Sequence, residues 1–561
     1  MRVPSDLLKT NYLQMKKSIL CVLCIFCIHT SYSQIMDQLS KGEIHGNFQT
    51  DVQYYNKDSL IGAPIVPEKM LMNGFANIIY TNGPFSAGIR YESYLNALQG
   101  FDPNYKGNGI PFRYARYDNN GLDVTIGNFY EQFGSGLIFR TYEERGLGVD
   151  NAMDGFRLKY NPFNGVYLKG VIGKQRYFFS EGPGIVRGLD GEIMVNELKE
   201  AWLEKKLKVI LGGSFVSKYQ KDEDPTYVLP ENVGAWASRA SINYGKFSLT
   251  GEYAYKINDP SFMNNYIYKP GDAQFISASF SQKGLGITLS AKRIDNMDFR
   301  SDRNEIGNNL MINYLPALTR QHTYNLAATL YPYASQTVGE IGYQADIVYT
   351  IKKGSLLGGK YGTTININYS NFYALDTINL NDMETKRQRY KAKYFSVGKP
   401  VYFSDFNIEL NKKFSNKFKM NLMYMNLVYN MDVVLGLAGK GTVYADIAVV
   451  DLSYKLNSKH TIRTEMQSLT TKQDQGNWAT GLIEYTYSPN WFIAVMDQYN
   501  YGNKNSDLRI HYVTGTVGYT WKANRVMVTY GRQRAGIFCV GGVCRFVPAS
   551  NGLTVTITSS F

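Results

Sequence analysis

The chain is long, 561 residues, basic at +13, and rich in Tyr (45), Gly (52) and Phe (29) but poor in Pro (17) and Cys (5). Mean hydropathy is −0.28, and beyond the N-terminus no apolar run is long enough for a spanning helix, which excludes a helical membrane protein. The charge fits basic turns, an anionic lipid surface or an anion-attracting lumen, and no nucleic-acid-binding motif accompanies it.

The N-terminus carries an export address. Met15-Lys-Lys, the apolar run Ile19–Ile28 and the small residues Ser31 and Ser33 before Gln34 have the order of a secretory signal peptide cleaved after Ser33. Residues 1–33 are therefore expected to be removed, with Met15 the true start. Cys21, Cys24 and Cys27 leave with them. Residues 34–41 form a short periplasmic N-terminus, too short for a folded plug domain ahead of a barrel, and 42–561 are expected to form that barrel.

From Glu43 onward the chain alternates. Ile44, Gly46, Phe48, Val52 and Tyr54 oppose Glu43, His45, Asn47, Gln49, Asp51 and Gln53; Phe247, Leu249, Tyr253 and Tyr255 oppose Ser248, Thr250, Glu252 and Lys256. A period of two describes half-buried strands. A soluble sandwich would put the charged face outside, a membrane barrel inside.

Connection lengths separate those two architectures. Turn residues cluster at Thr81–Pro84, Asn119–Gly121, Asn164-Gly165, Gly245-Lys246, Lys283-Gly284, Ser415–Lys417, Asn457–Lys459, Ser488–Asn490 and Lys522–Asn524. Longer connections at 56–68, 95–111, 131–153, 177–187, 220–233, 257–271, 372–394, 431–441 and 502–509 alternate with them. Short turns on one side and long loops on the other suit a membrane barrel, and a sandwich has no need of the asymmetry. The expected fold is all-β, a single large antiparallel transmembrane barrel of about 26 strands, with 24 the alternative. The ambiguity lies in 295–360, where 26 requires Leu310–Tyr314 to be a strand.

Within the third long loop, Arg140, Glu143, Glu144, Arg145, Asp150 and Asp154 are interleaved with glycines from Gly134 to Gly155. Opposed charges on an inward loop suit a pore constriction, and equally a loop whose ion pairs simply fill the lumen. Near the end, Cys539-Val-Gly-Gly-Val-Cys544 has the form of a two-residue hairpin turn. Its cysteines then face each other as a non-hydrogen-bonded pair, within disulfide reach and outside the cell.

The last residues, Leu553-Thr-Val-Thr-Ile-Thr-Ser-Ser-Phe561, place Leu553, Val555, Ile557 and Phe561 on one apolar face. They resemble the closing strand of bacterial outer-membrane barrels, which must pair with the first strand because lipid offers no partner for free N–H and C=O groups. Four histidines remain after cleavage, His45, His322, His460 and His511, in no lipase-like or protease-like context. No catalytic residues, cofactor or metal site are expected.

The Ser-x-Ser-Gln signal end, Phe129-Tyr-Glu-Gln-Phe-Gly-Ser-Gly-Leu137, Arg140-Thr-Tyr-Glu-Glu-Arg145, Gly358-Gly-Lys-Tyr-Gly362 and Cys539–Pro548 together resemble a family of Bacteroidetes outer-membrane barrels with no established activity. The resemblance implies the Gram-negative outer membrane, with lipid and lipopolysaccharide around the barrel and the barrel-assembly machinery acting during insertion. Two functions then compete: a porin-like passive or substrate-selective channel, and a structural barrel of an envelope secretion or assembly complex with a loop-plugged lumen.

Overall fold

The computed structural model describes residues 42–381, 387–540 and 543–561. The expected signal peptide, residues 1–33, and the expected periplasmic N-terminus, residues 34–41, fall outside these residues. Twenty-four antiparallel strands, each hydrogen-bonded to its neighbours, form one sheet that closes on itself. The first strand, Glu43–Tyr55, pairs with the last, Ser550–Ser560, in the register Asn47↔Ser560 to Tyr55↔Gly552. Beyond that ladder Gly46 and Phe561 exchange both backbone hydrogen bonds, at 3.0 and 3.1 Å. Closure leaves no sheet edge, the condition a barrel in lipid must meet.

Alternation sorts each strand into an exposed apolar face and an inner one. On Leu207–Tyr219, Leu211 and Phe215 are exposed while Ser214, Val216 and Lys218 are buried. On Asn232–Tyr244, Trp236 and Ile242 point out, and Val233, Ala235 and Ala237 point in. Aromatic pairs that include Phe85–Tyr117, Phe247–Phe280 and Trp491–Tyr519 sit beside the short turns, on the outer surface. Such rings suit the rim of an apolar band.

The count is 24, the alternative the sequence allowed, rather than 26. Leu310–Tyr314 is no barrel strand: between Leu285–Asp295 and Gly339–Ile351 the whole segment 296–338 leaves the wall, and Met311 makes only an isolated bridge to Arg300. Apolar residues that read as strand are buried there against other inward-folded chain. A second correction concerns 177–187, expected as a long connection. Val166–Tyr177 instead turns at Phe178-Phe179 into Ser180–Met194. Gly182-Pro-Gly184 reads as loop but is the irregular end of that strand, where the register shifts between Glu181 and Ile185. A Cβ on Gly184 would collide with the Ser301 carbonyl, so the glycine admits the inward segment. The remaining long connections all lie at one end; the other has tight turns apart from 195–206 and 352–362.

Candidate functional site

A barrel this wide encloses more space than its own wall side chains fill. Here two connections from the long-loop end fold into it. The first, 130–152, buries Phe133, Leu137, Ile138 and Phe139 against Val171, Val186, Val216 and Ala254 of the inner wall. Gly134 makes the turn, with φ +53°; a Cβ there would stand 2.7 Å from Glu252 Oε1. The conformation is one that glycine adopts without penalty. The Ser135 amide then donates to Glu252 Oε2 at 2.8 Å. On the wall, a Cβ at Gly188 would meet the Phe133 ring at 2.7 Å, so a small wall residue receives a large loop residue.

The second connection, 296–338, crosses the lumen. Met297, Phe299, Ile312 and Leu315 join the first loop's cluster. Tyr324, Leu326, Tyr331 and Tyr333 pack on the opposite inner wall, against Phe372, Met425, Tyr429, Ile447 and Trp478. The two connections are also joined by backbone: Arg140 N donates to Ile312 O at 2.8 Å, and Tyr314 N to Gly136 O at 2.9 Å.

Buried charge fixes this plug to the wall. Lys256 donates to the Asp298 carbonyl and Lys292 to the Pro316 carbonyl, each at 2.5 Å, while Lys292 also pairs with Glu340 of the next strand at 2.6 Å and Lys218 with Asp259 of the connection 257–270 at 2.9 Å. Arg300 binds Asp298 at 2.9 Å and the carbonyls of Asn309 and Gly307 at 2.7 Å each. Arg303 donates to Gln220 Oε1 at 3.0 Å and Pro230 O at 2.8 Å, tying the plug to the outer loop 220–231. Glu131 takes Lys159 at 2.7 Å and Lys169 at 3.1 Å. Burial raises the pKa of its carboxyl, but those lysines outweigh it and hold the carboxyl below its usual value.

Each residue singled out from the sequence has a place in this arrangement. Asp150 accepts from Arg90, from Arg176 at 2.5 Å and from Tyr130 OH at 3.0 Å. Glu143 binds Arg145 at 2.6 Å and Arg90 at 2.9 Å. Glu144 accepts from the Gly146 amide at 3.3 Å. Arg145 lies over Phe75, and Arg140 over Tyr314 at 4.0 Å and Tyr142 at 4.8 Å. Asp154 is not in the loop. It sits on the strand Met153–Phe163, two residues from the exposed Phe156, and pairs with Arg113 at 2.7 Å. These arginines are engaged by carboxylates and rings rather than ranged around an open constriction.

The segment 296–338 and its anchors Lys218, Lys256, Asp259, Lys292 and Glu340 were missed from sequence. The one signal was the break in strand spacing between 295 and 360. His322 lies 2.7 Å from Asp405 Oδ2 and His511 2.7 Å from Asp497 Oδ2. Among the described residues no group of three His, Cys, Asp or Glu side chains could hold a metal ion.

Cys539 and Cys544 are disulfide-bonded, with Cα atoms 4.1 Å apart and Val540 opposite Val543 in the register the sequence suggests. Gly541 and Gly542 lie outside the described residues. The hairpin Gly536–Val547 is not a free outer loop. It folds onto the plug, where Asn308 donates to Cys544 O at 3.0 Å, and onto the connection 96–106, where Arg545 covers Phe101 at 4.0 Å. A cavity of about 830 Å³ lies between hairpin and plug, with Tyr331, Met431, Asp474 and Phe546 in its lining.

The profile of a family of unknown function, DUF6029, matches residues 15–561. The chain belongs to that family. No curated protein matches it. Among solved structures it is similar to the siderophore receptor PirA from Pseudomonas aeruginosa, at 9% identity, TM-score 0.39, over 92% of this chain and 80% of that one. It is also similar to the translocation pore of the P pilus usher PapC (10%, TM-score 0.40, 92% and 99%) and to OccK8 (OprE) of P. aeruginosa (10%, 0.33, 80% and 98%).

Proposed function

We propose that this chain is an integral protein of the Gram-negative outer membrane, and that its barrel is a substrate-selective channel kept shut at rest by its own loops. The exposed apolar face and the closed edge support the membrane, and the motif resemblance alone supports a Bacteroidetes source. One observation carries the closed state: 296–338 spans the lumen, held to one wall by buried Lys256 and Lys292, which donate to Asp298 O and Pro316 O, and to the opposite wall by His322 with Asp405 and by the Leu326 amide donating to Gln467 Oε1. Passive diffusion through an open porin needs constriction charges that face water, whereas Arg140 and Arg145 are stacked or paired.

A passage, rather than a solid pillar, is supported by the rest of the lumen. Toward the short-turn end the inner face of the seam carries Asn47, Gln49, Asp51, Thr556 and Thr558, all partly or fully exposed. The competing reading, a structural barrel in an envelope secretion or assembly complex, shares the plug but assigns no flux.

Planar-bilayer recording separates them. Wild type is expected to be silent apart from rare openings, and replacement of residues 300–334 by a short Gly-Ser linker to give a steady large conductance. A disulfide engineered between plug and wall should abolish the rare openings. A wild type that never opens and co-purifies stoichiometrically with another envelope protein would overturn the channel in favour of the scaffold.

A further inference from the structure

Beside the large cavity lies a smaller one of about 370 Å³, walled by the plug helix Asn325–Thr329, the wall residues Gln53, Gln498 and Gln533, and the stapled hairpin. Two arginines, Arg534 and Arg545, line both cavities, and no Asp or Glu lines the smaller. Arg534 is buried and Arg545 half-buried, and neither has a carboxylate partner among the described residues, whereas the buried Arg176, Lys218, Lys292 and Arg300 each have one. Arg534 donates only to neutral acceptors: Gln498 Oε1 at 2.7 Å, Ala535 O at 3.0 Å, Asn325 Oδ1 at 3.1 Å and the Thr329 hydroxyl. Arg545 is less satisfied. Its Nε is buried without a partner, and one terminal nitrogen reaches only Gln99 O, at 3.5 Å. Desolvation pulls both guanidinium groups down to about 10, so both remain charged at neutral pH.

A buried cation without a counter-charge is costly, and an anion bound beside it offsets that cost. Asp474, which lines the larger cavity, is exposed and accepts from Tyr331 OH at 3.0 Å, so it does not supply the missing charge. The remaining walls of the small cavity offer amide groups and the apolar Phe101, Ile537 and Phe538. We infer that this cavity is a binding site for a small organic anion, its carboxylate or phosphate group held between Arg534 and Arg545 and its body against the apolar wall. Guanidinium forks match both oxyanions. The disulfide joins the residue preceding Arg545 to the one following Phe538, so it fixes the strand pair that carries one arginine and part of the apolar wall. This deepens the channel reading by naming a solute class, but binding is measured without ion flow, so either can fail alone.

The test is calorimetric titration of the full-length protein in phosphatidylcholine nanodiscs with 3-phenylpropionate, phenyl phosphate, inorganic phosphate and the neutral isostere 3-phenylpropanol. At least one organic anion should bind at least about tenfold more tightly than the alcohol, the worth of one charge-assisted hydrogen bond or more. It should also bind more tightly than inorganic phosphate. Arg545→Gln should lose that preference, Arg545→Lys should retain part of it, and Arg509→Gln, in the outer loop 500–510, should leave it unchanged. Equal binding of acid and alcohol, or full binding by a folded Arg545→Gln protein, would overturn the inference. Inorganic phosphate binding as tightly as phenyl phosphate would overturn the role of the apolar wall.

Discussion

Lys218 Nζ stands 2.9 Å from Asp259 Oδ1, and both side chains are buried. Lys256 approaches the same carboxylate at 3.7 Å, and the Phe299 ring lies 5.7 and 5.6 Å from the two ammonium groups. A single acid from an outer loop thus compensates two wall lysines, and the plug lands on the cradle they make. Asp259→Asn leaves both cations without a counter-charge, at a cost on the order of 3–5 kcal/mol. The plug should detach while the barrel, held by its backbone ladder, persists. Protease should then cut within 296–338 while the protein keeps its heat-modifiable migration on gels. Replacing Lys218, Lys256 and Asp259 together by apolar residues of similar volume should restore resistance. An uncut Asp259→Asn plug would show that packing alone holds it.

The wall was legible in the sequence because lipid and lumen impose a period of two on every strand, and because turn chemistry marks the short ends. Ile44 to Tyr54 and Leu553 to Ile557 report their faces directly. The plug was not legible for the same reason. Leu310–Tyr314 has an apolar content that suits either a strand or a buried irregular segment, and only the partners decide. Lys218 and Lys256 look like ordinary lumen-facing strand residues until Asp259, Asp298 and Phe299 arrive from other connections. The cysteine pair was legible because the register of a two-residue hairpin is local. Where the hairpin docks was not, since Asn308 and Phe101 are remote in sequence.

Sidedness follows from strand parity. Lys504 and the segment after Asn379 lie at the long-loop end, and Asn457 and Pro489 at the short-turn end. Tags at the first pair should be labelled on intact cells and tags at the second only after permeabilisation. Equal labelling of both sets would reject the topology.

The last residue adds to the closure. Phe561 extends the seam by two backbone hydrogen bonds to Gly46 beyond the ladder that ends at Ser560. Deleting it removes both bonds and the terminal ring, so the yield of assembled, heat-modifiable protein in membranes should fall several-fold. An unchanged yield would mean that the seam ending at Ser560 suffices.

The hairpin staple closes a short loop and should contribute modestly, about 2 kcal/mol or less. Cys539→Ser should leave barrel assembly unaffected yet free the hairpin from the plug. Hydrogen exchange should rise across 536–547 and around Asn308, whose side chain bonds the Cys544 carbonyl. Unchanged exchange would place the hairpin's order in its plug contacts alone.

Arg140 joins the two inward connections. Its guanidinium lies over Tyr314 of the second and Tyr142 of its own, while its backbone amide donates to Ile312 O. A cation over two rings at a partly desolvated site is worth about 0.5–2 kcal/mol, too little to hold the plug and enough to change how often the junction parts. Arg140→Gln keeps the backbone bond and removes the charge. If the two connections separate when the lumen opens, wild-type openings should become several-fold more frequent in Arg140→Gln without a change in unitary conductance. Lys at 140 retains a cation but not the planar stack and should fall between the two. Arg145→Gln tests whether any lost charge has this effect, because Arg145 touches Glu143 and Phe75, neither of them in the second connection. Equal increases in both variants would assign the effect to net charge, whereas an increase confined to Arg140 would locate the moving joint between Tyr142 and Tyr314.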